Sequence, residues 1–221
     1  MAEMAPLTPA MAALLDQVEQ IGAQTGLAFI LDSGTLLGLV RNGAPLPGDI
    51  DVDVSVIQPD AASRLEHLRD IRRWRFGGKP YKFELPLPGS ELTLDVKLFQ
   101  RRGSRWVAPA IGVSTPSERP SHPLRRLLRP AWRLLLHHGD AARFPLRHLT
   151  RIDAWSVPGA FFDNTVAIGA WEHCRMPADT QAYLRYRYGN WTEPKRDWIS
   201  WRDDGGYQRD AAAILLGSAR Q

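Results

Sequence analysis

The chain has 221 residues, enough for one large domain or two small ones, and 44% hydrophobic content that supports a sizeable core. Its formal net charge is +4, carried by 24 Arg and only 4 Lys, a bias that fits Arg forks on phosphate or carboxylate as well as simple codon usage. One cysteine, Cys174, excludes a disulfide framework and a cysteine-based zinc site. The N-terminal residues carry Glu3 and Asp16 without a basic-then-apolar pattern, and no run has the length to span a bilayer. The expectation is a soluble, cytoplasmic protein.

Thr8-Pro9 predicts a helix start, with Leu14, Leu15, Val18 and Ile21 as its apolar stripe and Gly26 as its stop. Leu27 to Leu31 reads as a short buried strand. Thr35 to Arg41 reads as a short helix ended by Asn42-Gly43. Asp49 to Ile57 reads as a strand, with Ile50, Val52 and Val54 entering the core. Pro59-Asp60 predicts a helix that aligns Leu65, Leu68 and Ile71. Trp74-Phe76 and Tyr81-Leu85 are candidate strands. Glu91 to Phe99 alternates, with Leu92, Leu94, Val96 and Leu98 on one face and Thr93, Asp95 and Lys97 on the other. Downstream, Pro177 to Tyr188 predicts a helix and Ala211 to Leu216 a terminal one. The order predicts an α+β fold: a small mixed β-sheet flanked by helices, then a helical or irregular C-terminal half. Residues 1–115 would form the core, and 116–221 a basic region completing the site within one continuous unit.

The chemistry concentrates between Leu31 and Val54. On a strand, Asp49, Asp51 and Asp53 share one face. Carboxylates that close repel unless a cation lies between them, and a hard divalent ion with oxygen ligands suits that arrangement. Asp95, on the next alternating strand, supplies a further carboxylate for a site that could hold two metal ions. Its plainer role is a salt bridge to an Arg or to Lys97. Asp49 is a third ligand on its strand or a helper that orients a ligand or the acceptor hydroxyl. Upstream, Ser33, Gly34 and Thr35 form a turn whose backbone and hydroxyls suit a phosphate. Asp32 reads as the cap of the following helix. Arg41 would face a donor phosphate or neutralise the aspartates.

From Arg119 to Arg151 there are eight Arg and four His against one acid, Asp140. Two readings stand: contact with an anionic membrane surface or lipid phosphate, and a packed helix with a solvated basic face. Nucleic acid ranks low, because no recognised binding motif accompanies the patch. The set Trp171, Tyr183, Tyr186, Tyr188 and Trp191 fits a core, and an exposed member could stack on a base or sugar.

Gly34 to Gly38, Arg41, Pro47, Asp49, Asp51, Val52 and Asp53 together resemble the LicD family, which includes the fukutin and fukutin-related proteins. That family's pattern is a Gly-Thr-Leu-Leu-Gly turn, an Arg, and a Pro-Trp-Asp-Asp-Asp-Ile-Asp strand. A second stretch is similar too: Pro177, Tyr183-Leu184, Tyr188-Gly189-Asn190-Trp191 and Pro194. Gly48 stands where the family has Trp, and Ile50 where it has the middle Asp. The resemblance implies a nucleotidyltransferase-like fold. It also implies transfer of a phosphorylated alcohol, such as phosphocholine or ribitol phosphate, from a CDP-activated donor to a glycan or glycolipid hydroxyl. It implies Mg²⁺, with Mn²⁺ as the alternative, held by Asp51, Asp53 and Asp95, with Asp49 carried over by position.

The expectation is therefore a metal-dependent phosphotransferase at the inner membrane face or free in the cytoplasm. The alternatives are nucleotide-monophosphate transfer to a small molecule, a sugar transferase using Asp-x-Asp with Mn²⁺, and a non-catalytic basic adaptor in cell-surface glycan assembly.

Overall fold

A computed structural model describes residues 5–76, 78–113, 150–209, 211 and 215. The chain opens with α1 (Pro9–Thr25), capped where Thr8 Oγ1 accepts the Met11 N–H at 3.3 Å and closed by Gly26 at φ 67°. Pro9 sits where a helix has no N–H bond to lose. Met11, Leu14, Leu15 and Val18 form its buried stripe. Next come β1 (Phe29–Leu31) and α2 (Ser33–Asn42), which ends at Gly43 with φ 61°. Then follow β2 (Asp51–Val56), the single-turn α3 (Ala61–Leu65), β3 (Arg72–Phe76), β4 (Lys79–Pro86), β5 (Thr93–Leu98), β6 (Gln100–Arg102) and β7 (Arg105–Val113). After the undescribed stretch come β8 (Thr150–Pro158), α4 (Gly159–Asp163), β9 (Thr165–Ile168), β10 (Trp171–Pro177), α5 (Thr180–Tyr188), α6 (Ser200–Asp203) and β11 (Tyr207–Gln208).

Two sheets organise these elements. A seven-stranded mixed sheet runs β3-β4-β5-β2-β1-β10-β9, and a four-stranded antiparallel sheet runs β11-β8-β7-β6. In the first, β2 and β5 are parallel, with Asp53 opposite Asp95 and Ser55 opposite Lys97. The antiparallel β4 sets Lys82 against Lys97 and Glu84 against Asp95. Because side chains alternate, this register collects the polar residues of three strands on one face. The other face carries Val52, Val54, Leu94, Val96, Phe83 and Leu85, which join the α1 stripe in one core. Each such buried side chain contributes about 1.5–3 kcal/mol.

Three expectations need correction. The sheet is large rather than small, and the C-terminal half, where described, is mostly strands. β8 hid because Asp153, Ala154, Ser156 and Val157 are all buried, polar and apolar alike, so these residues show no inside–outside alternation. The acidic strand starts at Asp51, not Asp49. Gly48 at φ 84° and the bond from Asp49 N–H to the Leu46 carbonyl make a turn there. Ile50 consequently stands 76% exposed instead of entering the core. The predicted helix after Pro59 closes after one turn, with Leu65 buried and Leu68 and Ile71 packed against the core from outside it. Of Ala211 to Leu216, only 211 and 215 are described, linked by the bond from Leu215 N–H to the Ala211 carbonyl. The Arg119–Arg151 segment lies almost wholly outside the described residues.

Candidate active site

The polar face of the large sheet floors a cavity of about 590 Å³. The second sheet walls it with Pro109, Ala110 and Trp155, and the segment after α5 closes it with Tyr188, Trp191 and Trp198. Arg41, Lys82, Lys97 and Lys195 face it with positive charge.

Asp53 and Asp95 line the cavity, and Asp51 adjoins them: each of the three presents a carboxylate oxygen within 4.8 Å of the others. At that spacing two ionised carboxylates repel by about 3 kcal/mol in a medium of effective dielectric near 20. Burial, then the charges of Asp53 and Asp95, push the Asp51 carboxyl up to about 6. Burial and Asp53 also raise Asp49. Two lysines answer part of this charge. Lys97 Nζ lies 2.5 Å from Asp53 Oδ1 and Lys82 Nζ 2.7 Å from Asp95 Oδ2. Burial alone would lower Lys97, but Asp53, Asp95 and Asp32 outweigh it and raise the amine, so it stays an ammonium. The second oxygen, Asp95 Oδ1, is buried and has no hydrogen-bond partner. A buried carboxylate oxygen without a partner costs stability until a cation or donor meets it. Hard oxygen donors with one unmet valence fit a divalent ion such as Mg²⁺ or Mn²⁺. The cluster could thus hold a metal ion.

The turn residues are placed by a buried network. Asp32 caps α2 by accepting the Ser33 N–H at 2.7 Å, and its Oδ1 also accepts from Tyr183 at 2.6 Å and Arg187 at 2.5 Å. Its Oδ2 accepts from Ser55 at 2.8 Å. Burial would raise this carboxyl, but Arg187, Lys97, Tyr183 and Ser55 hold it down to about 2. Arg187 is 1% exposed and forks onto Asp204 with bonds of 2.6 and 2.8 Å. Its guanidinium lies over the Trp155 ring at 4.9 Å. Ser33, at φ 48°, turns its hydroxyl toward Lys97 and Arg187, 3.3 Å from each.

Gly34 has its reason in Asp49. A Cβ there would lie 2.8 Å from Asp49 Oδ2, so only glycine lets this carboxylate close over the first turn of α2. Thr35 is 5% exposed, and its hydroxyl accepts the Asp53 N–H at 2.9 Å. It therefore braces the acidic strand from beneath and does not line the large cavity. Arg41 sits on the rim, donating to the Trp191 carbonyl at 3.4 Å and to Asn42 at 3.3 Å. The aspartates are balanced by Lys97 and Lys82, not by Arg41.

Sequence reasoning missed Lys82, Arg187 and Asp204. Arg187 stands four residues after Tyr183, one helical turn along the same face, which was a usable signal. Asp204 lies in a polar stretch with no periodicity to mark it.

Residues 26–92 match the family model described as LicD/FKTN/FKRP, nucleotidyltransferase domain. This segment is similar to the LicD-type nucleotidyltransferase domain. It contains β1, α2 and β2, hence Asp32, the turn and two of the clustered aspartates, and it stops just before Asp95. No curated protein matches the chain. Among the described residues no helix is long and apolar enough to cross a membrane.

Proposed function

We propose that this LicD-type protein is a metal-dependent phosphotransferase that moves a phosphorylated alcohol from a CDP-activated donor to a glycan or glycolipid hydroxyl. The carrying observation is the meeting of Asp51, Asp53 and Asp95, the last two of them lining a cationic, aromatic cavity. In this reading the three aspartates hold divalent metal, Mg²⁺ or Mn²⁺. When bound, that metal supplies charge neutralisation to the diphosphate and its leaving group.

The chain's own groups do the rest. In the Ser33–Gly34–Thr35 turn at the N-terminus of α2, the Ser33 hydroxyl and the Gly34 amide face donor phosphate, while Thr35 braces the turn from beneath. Arg41 on the rim pairs with the diphosphate, and Trp191 or Tyr188 gives a flat face for the base or a sugar ring. Asp49 makes no ion pair among the described residues and lies beside Gly34 at the cavity wall. It takes the proton of the acceptor hydroxyl as that oxygen bonds to the β-phosphorus and the bridging oxygen departs with CMP. The site is mostly positioning plus electrostatics, which is what phosphoryl transfer requires.

Calorimetric titration of CDP-ribitol, CDP-choline, CDP-glycerol and CDP tests the reading, with Mg²⁺ and with EDTA, beside Asp51→Ala. The expected result is metal-dependent binding that Asp51→Ala loses, and CMP as the product of turnover with the preferred donor. A nucleotidylated acceptor in place of CMP would reassign the chain to nucleotidyl transfer. Absence of binding by folded protein would overturn both.

A further inference from the structure

We infer that the aspartate cluster takes a single divalent cation, because Lys97 and Lys82 stand as built-in cations where a second ion would be bridged. The inference rests on the metal-dependent reading above and specifies its stoichiometry. A two-ion centre needs carboxylates that bridge ions about 3.5–4 Å apart. The two candidate bridges each have an oxygen already engaged. Asp53 Oδ1 meets Lys97 Nζ at 2.5 Å, and Asp95 Oδ2 meets Lys82 Nζ at 2.7 Å.

Neither ammonium is a loosely held surface group. Lys97 is 8% exposed, bonded to Ser33 Oγ at 3.3 Å and packed 5.3 Å from the centre of the Trp155 ring. Lys82 also contacts Glu84 at 3.1 Å and lies 5.5 Å from the centre of the Trp74 ring. Register explains the placement: Lys97 is two residues beyond Asp95 on the same face of β5, and Lys82 is its cross-strand partner on β4. Asp51, Asp53, Asp95 and Glu84, which shares Lys82, set four carboxylates against two ammonium groups and leave two negative charges. That balance suits one dication. The acceptors left over are the Asp51 carboxylate, which has no hydrogen bond or ion pair among the described residues, and the orphaned Asp95 Oδ1. Asp51, Asp53 and Asp95 each keep one carboxylate oxygen within 4.8 Å of the others, which makes one place for one ion.

The test is Mn²⁺ binding to the full chain, followed by calorimetry and by electron paramagnetic resonance of the free ion, without donor. Sites away from the cluster are subtracted with Asp51→Asn. The wild-type protein is expected to bind one more ion than Asp51→Asn. Lys97→Met, checked for folding by circular dichroism, is expected to gain a second ion or to hold the first on the order of 10-fold tighter, since a unit charge beside the dication is gone. If Lys97→Met does not fold, Lys82→Met carries the same expectation at a more accessible position. Two ions lost from wild type on Asp51→Asn would overturn the single-ion centre while leaving the metal reading intact. So would a folded lysine variant with unchanged stoichiometry and affinity. No difference between wild type and Asp51→Asn would instead remove the metal reading itself, and this inference with it.

Discussion

Replacing Arg187 by Met tests whether the buried network holds the α2 turn. The substitution keeps much of the side-chain volume but removes the bonds to Asp32, Tyr183, Ser33 and both oxygens of Asp204. Asp32, 1% exposed, then keeps only its hydroxyl and amide donors and the more distant Lys97. Removing one partner of a buried ion pair costs about 3–5 kcal/mol, because the other charge stays buried. For a chain of this size that is a fall in melting temperature of about 10 °C. The pH dependence should change form as well. In the wild type Asp32 is lowered to about 2, so its stabilisation is full above the unfolded value of 3.8 and is lost as pH falls from there through 2. In the variant burial dominates and the carboxyl rises, so stability recovers as pH is lowered through the new, higher value. Urea unfolding of both proteins between pH 8 and pH 5 measures this, and Arg187→Met combined with Asp32→Asn should regain much of the loss at pH 8. A loss under about 1 kcal/mol, or parallel pH profiles, would refute the reasoning.

Asp51→Asn should remove Mn²⁺ binding yet raise the stability of the metal-free protein at pH 7 by about 1 kcal/mol, after discount for its partial exposure. The sign follows from its raised carboxyl: above about 6 the charged form opposes folding, and lowering pH through that value relieves it in wild type but not in the variant. Gly34→Ala should leave stability unchanged or slightly higher, since Ala favours helix, while donor binding measured by calorimetry falls as Asp49 is pushed from its place. Thr35→Val should cost about 1–2 kcal/mol in urea unfolding, because the buried Asp53 N–H loses its acceptor.

The acidic strand, its turn and β5 were legible because strict alternation and a Pro/Gly-rich link leave few other readings. Asp53 and Asp95 could be assigned to one face each, and parallel register then set them side by side. What stayed hidden depends on distant pairing. Lys82 reaches Asp95 only because β4 runs antiparallel to β5, and nothing in its own neighbourhood announces that partner. β8 gave no alternation because its buried residues Asp153, Ala154, Ser156 and Val157 mix polar and apolar side chains on both faces. Asp49 was placed on the strand since its spacing fits, but Gly48 adopts a left-handed turn that breaks the period one step earlier. Arg187 was obscured by the abundance of Arg elsewhere.

The pairing of β1 with β10 and the bonds from Asp32 to Arg187 also set a schedule for synthesis. These partners are 155 residues apart in the chain. At a translation rate of 5–20 residues per second, Asp32 leaves the ribosome about 8–30 s before its counter-ion exists. During that interval β1 has an open edge and the α2 cap carries a carboxylate that burial would penalise. The α2 cap thus gains its counter-ion only once α5 has been made.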